Sequence, residues 1–200
     1  DERALAAGCT VDRLFGMVSQ IQARIPVPLL FMTYINPIFA YGKERFMTCC
    51  AQSGIAGIIV PDLPYEEKGE LADICKANGV SLISMVAPTS GDRIAAIAQD
   101  AEGFVYGVSS LGVTGVRSEI KTDIRSMLAQ VRVVTSVPCA VGFGVSTPAQ
   151  AEAIARVADG VIVGSAIVTI VAEHGRASMA PVQAYVRSMR DAIDRAGPGA

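Results

Sequence analysis

Val137-Pro-Cys-Ala-Val-Gly-Phe-Gly144 and, further on, Gly160-Val-Ile-Val-Gly-Ser165 decide how this chain reads. Each is too short for a helix, is mostly β-branched or aliphatic, and is bounded by Gly or Pro. Four runs of the same kind precede them, at residues 27–35, 55–62, 80–87 and 103–109. Stretches with helical spacing lie between. Leu14, Val18 and Ile21 make one face of the first long one, and residues 42–53, 66–77 and 90–99 follow, the last with Ser90 as N-cap. Thr147-Pro148-Ala149-Gln150 is a capping box with Pro at the first helical position. A short helical stretch at 166–173 follows the sixth run, and a last helix occupies roughly 181–195.

Strands alternating with helices imply βα units and a parallel sheet. Six such units can be counted. Both a doubly wound open sheet and a barrel accommodate them. A complete barrel has eight strands and about 250 residues, and this chain opens on a helix with no strand before it. Six units therefore fit a barrel short by two at its N-terminal side. The first residue is Asp1 rather than Met, inside a helical stretch, which points to a missing beginning. Loss of two strands would leave residues 27–35 and 160–165 as open apolar edges, where another chain could pair.

Composition narrows the class. The chain is 51% hydrophobic with mean hydropathy +0.42, which suits either a membrane protein or a sheet covered on both faces. Its apolar runs of six to nine residues fall far short of the roughly 18 needed to span a bilayer, so the buried sheet is the better reading. A net charge of −2 with scattered basic residues argues against a nucleic-acid surface. Five cysteines without CxxC spacing and the single His174 offer no metal site. Reduced cysteines and the lack of a visible signal peptide suit a cytoplasmic protein without a cofactor.

In a parallel barrel, function gathers at the C-terminal strand ends. Gly142-Phe143-Gly144 closes the fifth run, and Gly164-Ser165 closes the sixth just before a helical stretch. Glycines let a ligand approach the backbone, and a helix N-terminus offers N–H groups and a favourable dipole to an anion. Paired Gly-rich turns after the last two strands are a recurrent barrel phosphate site. A dinucleotide fold fits less well, because the third glycine of GxGxxG is missing. The loop Val108-Ser-Ser-Leu-Gly-Val-Thr-Gly115 is made of small residues with two glycines, suited to a lid or to an ordinary surface loop. Ser109 and Ser110 are not set in a GxSxG elbow, and His174 is distant in sequence, which argues against Ser–His hydrolysis. Among the strand ends only Asp62 and Tyr106 exchange protons readily. Asp62 reads chiefly as a turn cap and Tyr106 as a pocket wall.

Five motifs then carry a resemblance. Phe31-Met-Thr-Tyr-Ile-Asn-Pro37, Val60-Pro-Asp-Leu-Pro64, Leu111-Gly-Val-Thr-Gly115, Gly142-Phe-Gly-Val-Ser146 and Val163-Gly-Ser-Ala-Ile-Val168 resemble the tryptophan synthase α chain in order and approximate spacing. The resemblance covers essentially all 200 residues. It implies a single TIM (β/α)8 barrel domain over residues 1–200, incomplete by its N-terminal quarter. It also implies a lyase of tryptophan biosynthesis that cleaves indole-3-glycerol phosphate to indole and glyceraldehyde 3-phosphate. Gly115, Gly144, Gly164 and Ser165 match the phosphate-binding positions. Met32, Ile59, Tyr106, Phe143 and Ile162 match the indole pocket, and Thr114 matches the lid threonine. Asn36 and residues 62–64 match the side facing a β subunit in an α2β2 tetramer. The family's catalytic Glu and Asp belong to a motif with no counterpart here. The resemblance places them upstream of Asp1, so none of these 200 residues is expected to be catalytic and the chain by itself is expected to be inactive. A non-catalytic fragment that binds a β subunit is one alternative. Another phosphate-binding barrel enzyme is the other, but it would need a lysine or carboxylates at the strand ends.

Overall fold

Every strand pairing among the described residues is parallel, as the alternation of apolar runs with amphipathic stretches requires. The computed structural model describes residues 2–109 and 117–197, with side chains described outside 117–123. By its contacts the chain divides at Ile83 into two units, Asp1–Ile83 and Ser84–Ala200.

The first unit runs α1 (Glu2–Ala6), α2 (Val11–Gln22), β1 (Leu29–Met32), α3 (Ile35–Tyr41), α4 (Lys43–Gln52), β2 (Ile55–Ile59), α5 (Gly69–Ala77) and β3 (Ser81–Leu82). Its sheet has the order β1-β2-β3. The Phe15 ring meets Phe31 and Phe46 edge-on, with centroids 5.4 and 5.3 Å apart, a favoured aromatic geometry. This cluster corrects the expected face of α2. Phe15 and Val18 are buried, whereas Leu14 and Ile21 lie 36% and 37% exposed. Val11, Phe15 and Val18 share helical spacing too, and the larger Phe15 ring removes more apolar surface from water than Leu14 would. Helix α3 begins at Ile35, which the sequence pattern had assigned to a strand. Pro37 sits in its first turn, where no intrahelical N–H is required.

The second unit runs β4 (Ser84–Val86), α6 (Arg93–Gln99), β5 (Val105–Val108), α7 (Arg117–Val134), β6 (Cys139–Gly142), α8 (Pro148–Ala155), β7 (Gly160–Val161), α9 (Ser165–His174) and α10 (Met179–Ala196). Its sheet has the order β4-β5-β6-β7. Ile94 and Ile97 of α6, Met127, Leu128 and Val131 of α7, and Val105 and Val141 of the sheet are buried. Helix α10 packs on α8 and buries Met189 and Ala192.

Among the described residues, six expected runs become seven strands because the third, residues 80–87, is divided at Ile83. Ser81 and Leu82 pair with β2, and Ser84 to Val86 pair with β5. Ser90 does not cap an α-helix. Its Oγ accepts from Ala87 N at 3.1 Å in a 3-10 turn, and α6 starts only at Arg93. The expected capping box is present: Thr147 Oγ1 accepts from Gln150 N, and Gln150 Oε1 accepts from Thr147 N. No helix among the described residues is long and apolar enough to cross a membrane.

Candidate functional site

In the second unit residues from three neighbouring chain segments come together around the end of β6. Tyr106 is buried in β5, Gly142 is the last residue of β6, and Ile162 follows β7, donating its N–H to Val141 O at 2.8 Å. A Cβ placed on Gly142 would lie 2.7 Å from both Tyr106 Oη and Ile162 Cβ. These three residues therefore converge, and glycine is the side chain that fits between the other two. Burial raises the Tyr106 phenol above its ordinary pKa, so it stays neutral and presents a hydroxyl to its surroundings.

Beyond Gly142 the backbone turns sharply. Phe143 has φ +90, the one non-glycine residue with positive φ among those described, and Gly144 follows at +74. That region is strained for a residue with a Cβ. The Phe143 side chain is 60% exposed. At the end of β7, Gly164 precedes the first turn of α9, which Ser165 opens. Gly164 O accepts from Ile167 N and Val168 N, at 3.0 and 3.2 Å. The N–H groups of the first turn have no carbonyl one turn behind them and face outward. A Cβ on Gly164 would meet no atom within 4 Å, so packing does not require glycine there.

In the first unit, Met32 and Ile59 are register partners at the ends of β1 and β2. Ile59 is buried and Met32 is 55% exposed. Asp62 Oδ1 accepts from Ile35 N at 2.9 Å, capping α3 and tying the 62–64 loop to the turn that carries Asn36. Its carboxylate serves as a cap, as its setting between Pro61 and Pro64 suggested, although the helix capped is an earlier one. Thr114 and Gly115, with the rest of the Leu111–Gly115 loop, lie outside the described residues.

Sequence reasoning weighed Ser109 only as a nucleophile and as part of the loop, and gave it no structural role. It is fully buried at the end of β5. Its N–H donates to Gly142 O at 2.8 Å, and its Oγ donates to Gly142 O at 2.9 Å and Phe143 O at 2.8 Å. A small polar residue directly after an apolar run was the available signal.

A separate cleft of about 310 Å³ lies before β6, lined by Arg132, Thr135, Ser136, Val137, Pro138 and Asp159. It faces the opposite, N-terminal end of the strand. Asp159 accepts from Cys139 N at 2.8 Å and pairs with Arg132 at 3.5 Å, so its polar groups serve the structure. Among the described residues no cluster of three His, Cys, Asp or Glu is arranged to hold a metal.

The family model described as "Tryptophan synthase alpha chain" matches residues 1–194. A tryptophan synthase alpha chain from Lacticaseibacillus casei is 41% identical over 194 residues, spanning 97% of this chain and 73% of the relative. One from Lactiplantibacillus plantarum is 47% identical over 195 residues, spanning 97% and 74%. The solved tryptophan synthase subunit alpha from Campylobacter jejuni superposes with TM-score 0.86 at 31% identity, covering 93% of this chain and 73% of that one.

Proposed function

The chain belongs to the tryptophan synthase alpha chain family, and from that premise we propose that its site binds indole-3-glycerol phosphate for retro-aldol cleavage to indole and glyceraldehyde 3-phosphate. The family is one of lyases of tryptophan biosynthesis, built on an α/β TIM barrel of parallel strands. The observation that carries the proposal is the pair of turns ending β6 and β7, brought together through Tyr106, Gly142 and Ile162. We assign the substrate phosphate to the backbone N–H groups of Gly144, Gly164 and Ser165, where the dipole of α9 favours an anion. Gly115 joins that set by resemblance. Phe143, Tyr106 and Ile162 supply apolar surface for the indole, while Met32 and Ile59 of the first unit, and Thr114 of the lid, match the family's positions by resemblance alone. The proposal includes one barrel domain over residues 1–200, a cytoplasmic location, and docking of a β subunit on Asn36 and residues 62–64.

In the cleavage the electrons of the broken C–C bond remain on the indole, which takes up a proton. The neighbouring glycerol hydroxyl gives up a proton and becomes the aldehyde. A general acid and a general base are therefore needed, each contributing about 10²–10⁴-fold. Asp62 is already held as a helix cap, so we assign it no proton transfer. These 200 residues by themselves then bind substrate without turning it over.

Calorimetry with glycerol 3-phosphate tests the site, because Gly144→Asp puts a side chain and a like charge where the anion would sit. The variant should show no binding, and unchanged binding would overturn the assignment. An indole-release assay tests the chemistry. The chain alone should give only background, and turnover that disappears in Asp62→Asn would move the acid–base role to that carboxylate.

A further inference from the structure

We propose that Ser109 is a positioning residue for the phosphate subsite: its buried hydroxyl holds the Gly142–Phe143 carbonyls, and so aims the Gly144 N–H at the anion. The inference rests on the phosphate reading above and adds a residue to it.

One side chain makes the whole arrangement. Ser109 has a single hydroxyl hydrogen, and two successive carbonyl oxygens share it, Gly142 O at 2.9 Å and Phe143 O at 2.8 Å. Its backbone N–H adds a second bond to Gly142 O at 2.8 Å. Both carbonyls are thereby drawn to one side of the turn. A trans peptide unit is planar, with its C=O and N–H pointing in opposite directions, and no cis peptide occurs among the described residues. The Phe143 carbonyl belongs to the same peptide unit as the Gly144 N–H. Fixing that oxygen on Ser109 therefore turns the Gly144 N–H to the opposite side of the turn. The Phe143 N–H, which shares its unit with the Gly142 carbonyl, is turned likewise.

The strain at Phe143 explains why such a clamp is needed. A φ of +90 is costly for phenylalanine, and left alone this turn would relax. Alanine at 109 would leave the buried Gly142 carbonyl and the part-buried Phe143 carbonyl without their side-chain donor while the strain persisted. The β5–β6 ladder ends at the Val108–Gly142 register pair, so ladder hydrogen bonds do not hold the turn beyond that point. Ser109 extends the ladder's grip by one side-chain bond, to the residue just before the assigned anion donor.

The test uses the intact protein, inorganic phosphate as the probe, and amide NMR of Gly144 and Gly164 as the readout. In the native protein, phosphate should shift both amides. Ser109→Ala should bind phosphate about tenfold more weakly, the scale of one charge-assisted hydrogen bond. It should lose the Gly144 response while Gly164 still moves. Ser109→Thr, which keeps the hydroxyl, should restore both, a rescue that a purely volume-filling role would not produce. If the alanine variant fails to fold, Ser109→Cys replaces it, keeping similar volume with a weaker donor, and should fall between native and threonine on one side and no response on the other. Native affinity and a native Gly144 shift in the alanine or cysteine variant would overturn the positioning role and leave the phosphate reading standing. Absence of phosphate binding in the native protein would overturn both.

Discussion

At Gly142 two opposing effects have known sizes. Replacing a strand glycine by alanine ordinarily gains about 0.5–1 kcal/mol through the unfolded chain. Here the added Cβ would sit 2.7 Å from Tyr106 Oη and Ile162 Cβ and 3.1 Å from Ile162 O. Overpacking of that kind costs about 1–3 kcal/mol, so the clash wins. Gly142→Ala should lower the denaturation midpoint, and a more stable variant would show that the three residues do not meet as described. Tyr41 offers a test through pH. Its hydroxyl donates to the Asp12 carboxylate, and the Arg45 guanidinium lies 4.2 Å from its ring centroid. The bond to Asp12 first, then burial and Cys49, push the phenol from 10.0 up to about 12. A pKa raised on folding stabilises the fold below the unfolded value, and that contribution is lost as pH rises through the folded one. The stability gap between the native chain and Tyr41→Phe should therefore be constant below pH 10 and close between 10 and 12. A gap that does not change over that window would rule the coupling out. Residue-scale reading from sequence anticipated the turn at Gly144 and the capping role of Asp62 because glycine and proline punctuate strand ends visibly. It assigned Ser109 no such role, because its hydrogen-bond partners lie 33 and 34 positions away and the local pattern shows only a polar residue closing an apolar run.

Helix ends were the most legible elements. Thr147-Pro148-Ala149-Gln150 forms the reciprocal cap it suggests, and Gln150 Oε1 also accepts from Ser146 N at 2.9 Å. Helix α8 packs on α10 and β7, so a frayed first turn would loosen the end of the second unit nearest the β6 turn. Thr147→Ala should cost about 1 kcal/mol, read as a lower midpoint in denaturant at unchanged slope. No change at all would mean the cap is redundant. Helix faces were harder to read. Helix α2 carries apolar residues on two sides, and spacing alone cannot say which set is buried; the neighbouring aromatic rings decide in favour of Phe15. The sequence reading names no helix between Gly115 and Val137, although Ile124, Met127, Leu128 and Val131 are spaced as one buried helical face. The third apolar run looks continuous in sequence, and only pairing partners reveal its division at Ile83.

For the whole molecule, the count of parallel βα units left a barrel or an open sheet, and the motifs at the strand ends with their resemblance pointed to the barrel class. The motif order indicated the family to which the chain belongs. Cores pack by rules that many sequences satisfy, whereas a tight turn closing a strand often needs glycine, and this is why the strand ends are more legible than the packing around them. Two places compete for an anion on physical grounds. One is the turn pair at the C-terminal ends of β6 and β7, and the other is the cleft at the opposite end of β6 that contains Arg132. The cationic cleft would attract an anion by charge, but Asp159 already answers Arg132 there. A crystal structure of the protein soaked in glycerol 3-phosphate separates the two directly. Phosphate oxygens should lie within hydrogen-bonding distance of the Gly144 N–H and of the first-turn N–H groups at Gly164 and Ser165. Phosphate bound beside Arg132, with the β6 and β7 turns vacant, would contradict the assignment of the site.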